Sequence, residues 1–420
     1  MDVVADRRAV AARPGDSVSP AVAPPPGQPR FPGLDALRGF AIAAVVFCHA
    51  IGSTGAWEET SWGWISYYAQ AGVTVFLVLS GFLLYRPFAA AHADRGHGPT
   101  AARFARRRAL RILPAYWVAL TVLSVWPGTH GTFSGDWYRY YTFTQGYWRA
   151  STAGGLGGVA WSLVAEVAFY ALLPLLAWGA ARLARGRAAE RWWRGELVVI
   201  VAFGLVSPLV YIVLPLSQAL GHTLFPGFLV GTLIGVTDWF AAGMLLAVVS
   251  VAAARGDGRA RRVAEWIRGH GVALWAGALV MWLLFARLPW LAGDGLAVLF
   301  PWHLCETLAG VLLVAPVVFV APGSAIDRIT LWRPLALLGL ISYGVYLWHY
   351  VLLSWLAGTD PALARGPGLA SHRDPDVTLL VGTFVLSVAV ATVSYRFLEL
   401  PFLRRKDAGP RRSPRRGWPG

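Results

Sequence analysis

Apolar residues run through this chain in blocks of about 20, the length that carries an α-helix across the hydrocarbon core of a bilayer. Arg-rich gaps separate the blocks. The pattern predicts membrane-spanning helices at 34–53, 69–91, 109–126, 160–180, 197–216, 232–254, 271–288, 297–320, 335–356 and 377–397. The expected fold is all-α and polytopic, with about ten transmembrane helices. The weakest stretch is 217–235, where Pro226 and several glycines suit a re-entrant piece, tolerable only where protein or water covers the backbone. No internal repeat of the kind found in many transporters is visible.

Charge tests this count. Arg95, Arg103, Arg106, Arg107 and Arg108 fall between spans two and three. Arg182, Arg185, Arg187, Arg191 and Arg194 fall between four and five, and Arg255, Arg259, Arg261, Arg262 and Arg268 between six and seven. The intervening segments 54–68 and 217–231 carry no basic residue. Such alternation is the positive-inside rule, and it puts both termini in the cytoplasm. Residues 1–32, rich in Pro, Ala and Arg, read as a disordered cytoplasmic tail. Residues 33–403 form the membrane domain, and 404–420 a second basic, disordered tail.

Composition agrees. Hydrophobic residues make up 56% and charged residues 14% of 420 positions, with a mean hydropathy of +0.52; soluble domains carry about 25% charged residues. The net charge of +15 is spread over alternate loops rather than gathered on one module, so no nucleic-acid partner is expected. Lys406 is the only lysine among 37 basic residues, a bias of composition rather than of phosphate recognition. Cys48 and Cys305 both lie inside predicted spans, which argues against a disulfide scaffold. The expected location is a bacterial plasma membrane, with the lipid bilayer as the constant partner; the oligomeric state is not readable.

Ionisable groups inside spans are costly and are therefore functional suspects. In span one, FPGLDALRGFAIAAVVFCHA, Arg38 and His49 are 11 residues apart, close to three whole turns. Both project from one face, roughly 16 Å apart along the axis, and Asp35 is placed to pair with Arg38. The bland readings are a snorkelling arginine and a packed, hydrogen-bonded histidine. In span four, WSLVAEVAFY, Glu166 falls in the first turns with Ser162 and Tyr170 four residues to either side. His49 on a neighbouring helix would neutralise it; an ordinary interhelix hydrogen bond is the alternative.

Span nine carries Tyr343, Tyr346 and His349 on one ridge, equally readable as an interfacial aromatic belt. Span eight opens PWHLCETLAG, with His303 and Glu306 one turn apart or merely at a solvated helix end. Depth bookkeeping gathers His49, Glu166, His303, Glu306 and His349 into an outer layer and leaves Arg38 and the loop arginines in an inner one. That suits a donor arriving from the cytoplasm and an acceptor lying outside. His is a natural general base for a hydroxyl, best oriented by a carboxylate. Arg108 and Arg111 are placed to face one anion, although such a cluster by itself is ordinary topology. Cys48 points about 100° away from His49, which disfavours an acyl relay between them. The Gly-rich 153–162 lacks the Walker lysine, and neither H-E-x-x-H, C-x-x-C nor G-x-S-x-G occurs; no metal is expected. A polytopic transporter coupling protons through buried His and Glu stays open as the competing class, as does a membrane scaffold.

Taken in order, FPGLDALRGFAIAAVVFCHA, VFLVLSGFLLYR, RRRALRILPAYW, WSLVAEVAFY, ISYGVYLWHY and SYRFLELPF resemble the acyltransferase 3 family of bacterial membrane acyltransferases, from about residue 31 to 404. The resemblance implies a cytoplasmic acyl-CoA donor, acetyl-CoA foremost, and transfer to a hydroxyl of a sugar, envelope glycan or glycosylated metabolite. By matching positions it implies that Arg38 and His49 are essential and His49 catalytic, and that Arg108 with Arg111 is the family's RxxR and Glu166 its SLxxE. The expected site is then His49, Glu166 and Arg38 for catalysis. Arg108, Arg111, Arg107 and Arg38 would hold the donor, and His349, Tyr346, His303, Glu306 and Trp161 the acceptor. Some members add a further helix and an SGNH-type hydrolase domain, of which this sequence has neither, so a two-step relay onto that domain is not expected.

Overall fold

The computed structural model describes residues 32–52, 71–96, 98–129, 131–151, 154–156, 158–184, 192–221, 227–292, 298–358, 366–368 and 377–405. Both terminal tails (up to 31 and from 406), the segment 54–68 and much of 357–376 lie outside them.

The chain runs α1 Pro32–Gly52, α2 Ala71–Ala93, α3 Ala101–Val125, the short α4 Trp137–Tyr141, α5 Trp161–Ala184, α6 Trp193–Gly204, α7 Val206–Ala219 and α8 Thr237–Ala254. It continues through α9 Gly258–Gly269, α10 Gly271–Ala292, α11 Leu299–Val318, α12 Ala325–Thr330, α13 Arg333–Leu340, α14 Ser342–Ala357, α15 Val377–Ser394 and α16 Leu400–Arg405. No strand occurs among the described residues. Among the described residues, eight helices or continuous helix pairs are long and apolar enough to cross a bilayer, and ten if two sharply bent pairs each count as one span. The protein is an all-α, multi-pass membrane protein.

The bent pairs are what hydropathy could not see. The first turns by 75° between α9 and α10. Asp257 caps α9 by accepting from the backbone N–H groups of Arg259 and Ala260. The helix then buries Ala260, Ala264 and Ile267 and exposes Arg259, Arg261, Arg262 and Arg268. One apolar stripe beneath an arginine face is the form of a helix lying along a membrane surface. The second pair turns by 74° between α13 and α14, at Ile341. Helix α3 also begins earlier than the apolar block, because Thr100 caps it by accepting from Arg103 N. Arg108, counted with the loop by hydropathy, is therefore a helical residue one turn before Arg111.

In lipid, helices gain little from burying apolar surface on one another, so close packing and polar ties hold the bundle. Gly81 of α2 and Gly243 of α8 let these two backbones touch: a β-carbon on either would overlap a main-chain carbonyl of the other helix. Gly39 and Gly339 do the same for α1 and α13. Phe169 stacks on Phe240 and on Phe203, with centroids 4.0 and 6.0 Å apart. Polar ties include the buried Glu196, which accepts from Tyr85 and meets His92 Nδ1 at 2.6 Å. Where α2 and α8 end, Arg255 forks onto Asp94, and this hydrogen-bonded contact holds the Asp94 carboxyl below the usual carboxylate range. Leu175, Leu209 and Val385, each more than half exposed, belong to the surface that faces lipid acyl chains.

Candidate active site

Helix α1 sets the layout. Its 11-residue spacing from Arg38 to His49 spans about 16 Å, and the two side chains enter two different cavities. The first, about 250 Å³, is lined by Arg38, Ser80, Arg108, Arg111, Glu166 and Tyr170, among others. The second, about 260 Å³, is lined by His49, Cys48, Glu306 and an aromatic wall of Trp161, Tyr211, Trp239 and Trp302. Val73 and Tyr346 line both, so these two residues form a wall common to neighbouring chambers.

The arginine chamber draws its cations from α1 and α3. Arg108 lies about 6 Å from the ring centres of Phe104 (5.9 Å) and Tyr170 (6.0 Å), and its buried Nε has no hydrogen-bond partner. Three guanidiniums on one cavity wall, in a low-dielectric setting, are an anion site by charge. Arg107 does not join them. It is exposed and does not line this chamber, a correction to its expected donor-binding place, although it lies one turn from Arg111 on α3.

Glu166 is the second correction. Depth reading put it beside His49, but it lines the arginine chamber, where Ser80 Oγ donates to its Oε1 at 2.5 Å. One turn explains the shift. Trp161, at the head of α5, lines the histidine chamber, and Ser162 stands at the junction, 3.1 Å from the Tyr346 hydroxyl. Four residues beyond Ser162 are about 6 Å along the axis, which carries Glu166 past the junction.

His49 has a different partner. Its Nδ1 lies 2.9 Å from Nε2 of His349, with the ring planes only 21° apart. Tyr350 meets the His49 ring edge-on, with the centroids 5.4 Å apart. His349 is fully buried, and its own Nδ1 sits 2.9 Å from the Tyr346 carbonyl and 3.1 Å from that of Val345. It does not line the chamber, so it stands behind His49 rather than against an acceptor. Tyr346 does line it, donating its hydroxyl to the Val159 carbonyl at 2.6 Å. Cys48, expected to point away, reaches the same chamber wall.

Across the chamber, Thr74 donates to Glu306 Oε1 at 2.8 Å. His303 is one layer further back, stacked on Tyr211 with centroids 4.0 Å apart and bonded through Nε2 to Asp238 at 3.0 Å. Ser207 and Thr307 donate to the same carboxylate at 2.6 and 2.7 Å. His303 thus supports the aromatic wall instead of facing the space in front of it. The 3-10 turns Gly227–Gly231 and Leu233–Gly235 complete that wall through Val230, Gly231 and Val236. Of the stretch 217–235 anticipated as re-entrant, Pro226 and its neighbours 222–226 lie outside the described residues, while the non-α-helical Val230 and Gly231 lie against the chamber.

Sequence reasoning missed Ser80, Asp238 and Glu399. Each carried a signal, being a polar residue within or at the end of an apolar span. Glu399 ends a π-helical turn, Tyr395–Glu399, its buried Oε1 unpartnered and its charge felt by Arg111 and Arg38. No group of three or more metal-ligating side chains gathers among the described residues.

Comparisons with known proteins point the same way. A family profile described as an acyltransferase domain matches residues 31–396. The chain is similar to Nodulation protein 10 of Rhizobium leguminosarum bv. viciae, 24% identical over 406 residues that cover 89% of this chain and 94% of that protein. It is also similar to Peptidoglycan O-acetyltransferase OatA of Listeria monocytogenes, 24% identical over 396 residues, 88% of this chain and 55% of that protein. No solved structure matches it.

Proposed function

The chain belongs to the acyltransferase-domain family, and from that premise we propose that it moves an acyl group, acetyl foremost, from acyl-CoA to a hydroxyl of a carbohydrate or glycosylated acceptor. The observation that carries this reading is the pair of neighbouring chambers along α1 with Val73 and Tyr346 in common, one cationic and one aromatic around a histidine. An acyl-CoA is polyanionic at one end and a neutral thioester at the other. The Arg108 and Arg111 wall suits its phosphates, with the pantetheine arm passing Arg38 toward Tyr346. The positive-inside pattern of the loops supports entry from the cytoplasm.

Aromatic rings beside a carboxylate suit the apolar face and the hydroxyls of a sugar ring, so Trp161 and Glu306 are the proposed acceptor contacts, with Tyr346 at the junction. The name of the Listeria relative supports an acetyl group and a glycan, although the chain spans about half of that protein. In the reaction, a ring nitrogen of His49 takes the acceptor hydroxyl proton as the oxygen attacks the thioester carbonyl carbon. The carbon–sulfur bond breaks, and the thiolate leaves with that proton. Glu166 serves the donor side, through its place among the arginines.

The test is transfer by membranes given radiolabelled acetyl-CoA and candidate glycans. Covalent label in a glycan, lost with His49→Ala at unchanged membrane level, is the expected result. Uptake of a glycan without consumption of acetyl-CoA would identify a transporter and end this reading.

A further inference from the structure

The histidine pair fixes more than a contact. Both groups within reach of His349 Nδ1 are main-chain carbonyls, which only accept. That nitrogen therefore carries the hydrogen. In the neutral ring Nε2 is then a bare lone pair, and among the described residues the atom bonded to it is His49 Nδ1 at 2.9 Å. Nδ1 of His49 must be the donor. The hydrogen of a neutral His49 is thus used up on the side facing α14, and the lone pair sits on Nε2, which makes no hydrogen bond to any described residue. No carboxylate enters this chain of hydrogen bonds.

We infer that His349 is a positioning residue that holds His49 in its Nδ1–H tautomer and so turns the proton-accepting Nε2 toward the acceptor. It does the work that an aspartate does behind a catalytic histidine, using the main chain of α14 as the final anchor. As His49 takes the acceptor proton it becomes an imidazolium, and the bond from Nδ1–H to His349 Nε2 strengthens while the carbonyls of Val345 and Tyr346 steady the second ring. This inference rests on His49 being the base of the proposed transfer, and it moves His349 from the acceptor contacts to the support behind the base.

His349→Phe keeps a ring of similar size but offers no acceptor. It is expected to lower kcat roughly 100-fold while leaving KM for donor and acceptor within about twofold. His349→Gln, whose amide oxygen can accept from Nδ1–H, is expected to recover at least about tenfold of that loss. A rise in acceptor KM at unchanged kcat would return His349 to the acceptor site, and unchanged kinetics in His349→Phe would remove it from the reaction; either overturns the inference. Nitrogen NMR of the histidine-labelled wild-type protein, with His49 assigned by its loss in His49→Gln, needs no folded His349 variant. A protonated Nδ1 on His49 supports the inference and a protonated Nε2 overturns it. This readout also stands apart from the proposed function, because it can be taken whether or not any glycan is acetylated.

Discussion

The two chambers share helix α1, two wall residues and nearly the same volume, yet they are built of opposite materials. One takes its character from guanidiniums on α1 and α3, answered by Glu166. The other takes it from indole and phenol rings, one carboxyl and one imidazole. The difference teaches that the division of labour lies in wall chemistry rather than in cavity shape. In the proposed reading, charge would sort the donor to one end and ring stacking the acceptor to the other, with His49 on the aromatic side of the two shared wall residues.

Substitutions can break or sharpen that contrast. The largest effect is expected from His49→Gln, a fall in kcat of about 10²–10⁴-fold, the ordinary worth of a general base; single-turnover transfer in detergent-purified protein measures it. Next comes Arg108→Ala combined with Arg111→Ala, which should raise KM for acetyl-CoA about 10- to 100-fold, since a charge-assisted hydrogen bond is worth about 1.5–3 kcal/mol. The same variant assayed with acetyl-pantetheine, which has no nucleotide phosphates, should differ little from wild type. An equal penalty with both donors would show that the arginines do not read phosphate. Glu166→Gln should cost about tenfold in donor KM, one charged hydrogen bond. If it instead depressed kcat as deeply as His49→Gln, the carboxylate would belong to the base after all. Smallest is Trp161→Ala, expected to raise acceptor KM about fivefold through the loss of about 1 kcal/mol of ring contact, with donor KM as the control that should not move.

Much of this was legible in the sequence. The stripe from Arg38 to His49 needed only the helical period, and the apolar blocks supplied the spans. What escaped was direction. The turn at Ile341 falls inside an unbroken apolar run, and hydropathy weighs residues without saying which way a helix points. Glu166 was misplaced by a single helical turn, because depth counted from a loop cannot locate the boundary between chambers that only packed side chains define. Arg107 is one turn from Arg111, so the helical period alone does not set it apart, and its place outside the chamber wall depends on how α3 packs. His349 was noticed as a polar residue on an aromatic ridge, but its partner 300 residues away becomes visible only once α1 and α14 are packed together.

The bend at Ile341 has a mechanical corollary. On one side of it α13 is seated on α1 through Gly39 and Gly339, with no slack between the backbones. On the other side α14 carries Tyr346 and then His349, about 6 and 11 Å further along the helix. A swing of α14 about that elbow displaces both residues by unequal arcs in the same sense. Such a swing would move the wall residue shared by the two chambers and the support of the imidazole together, as one lever.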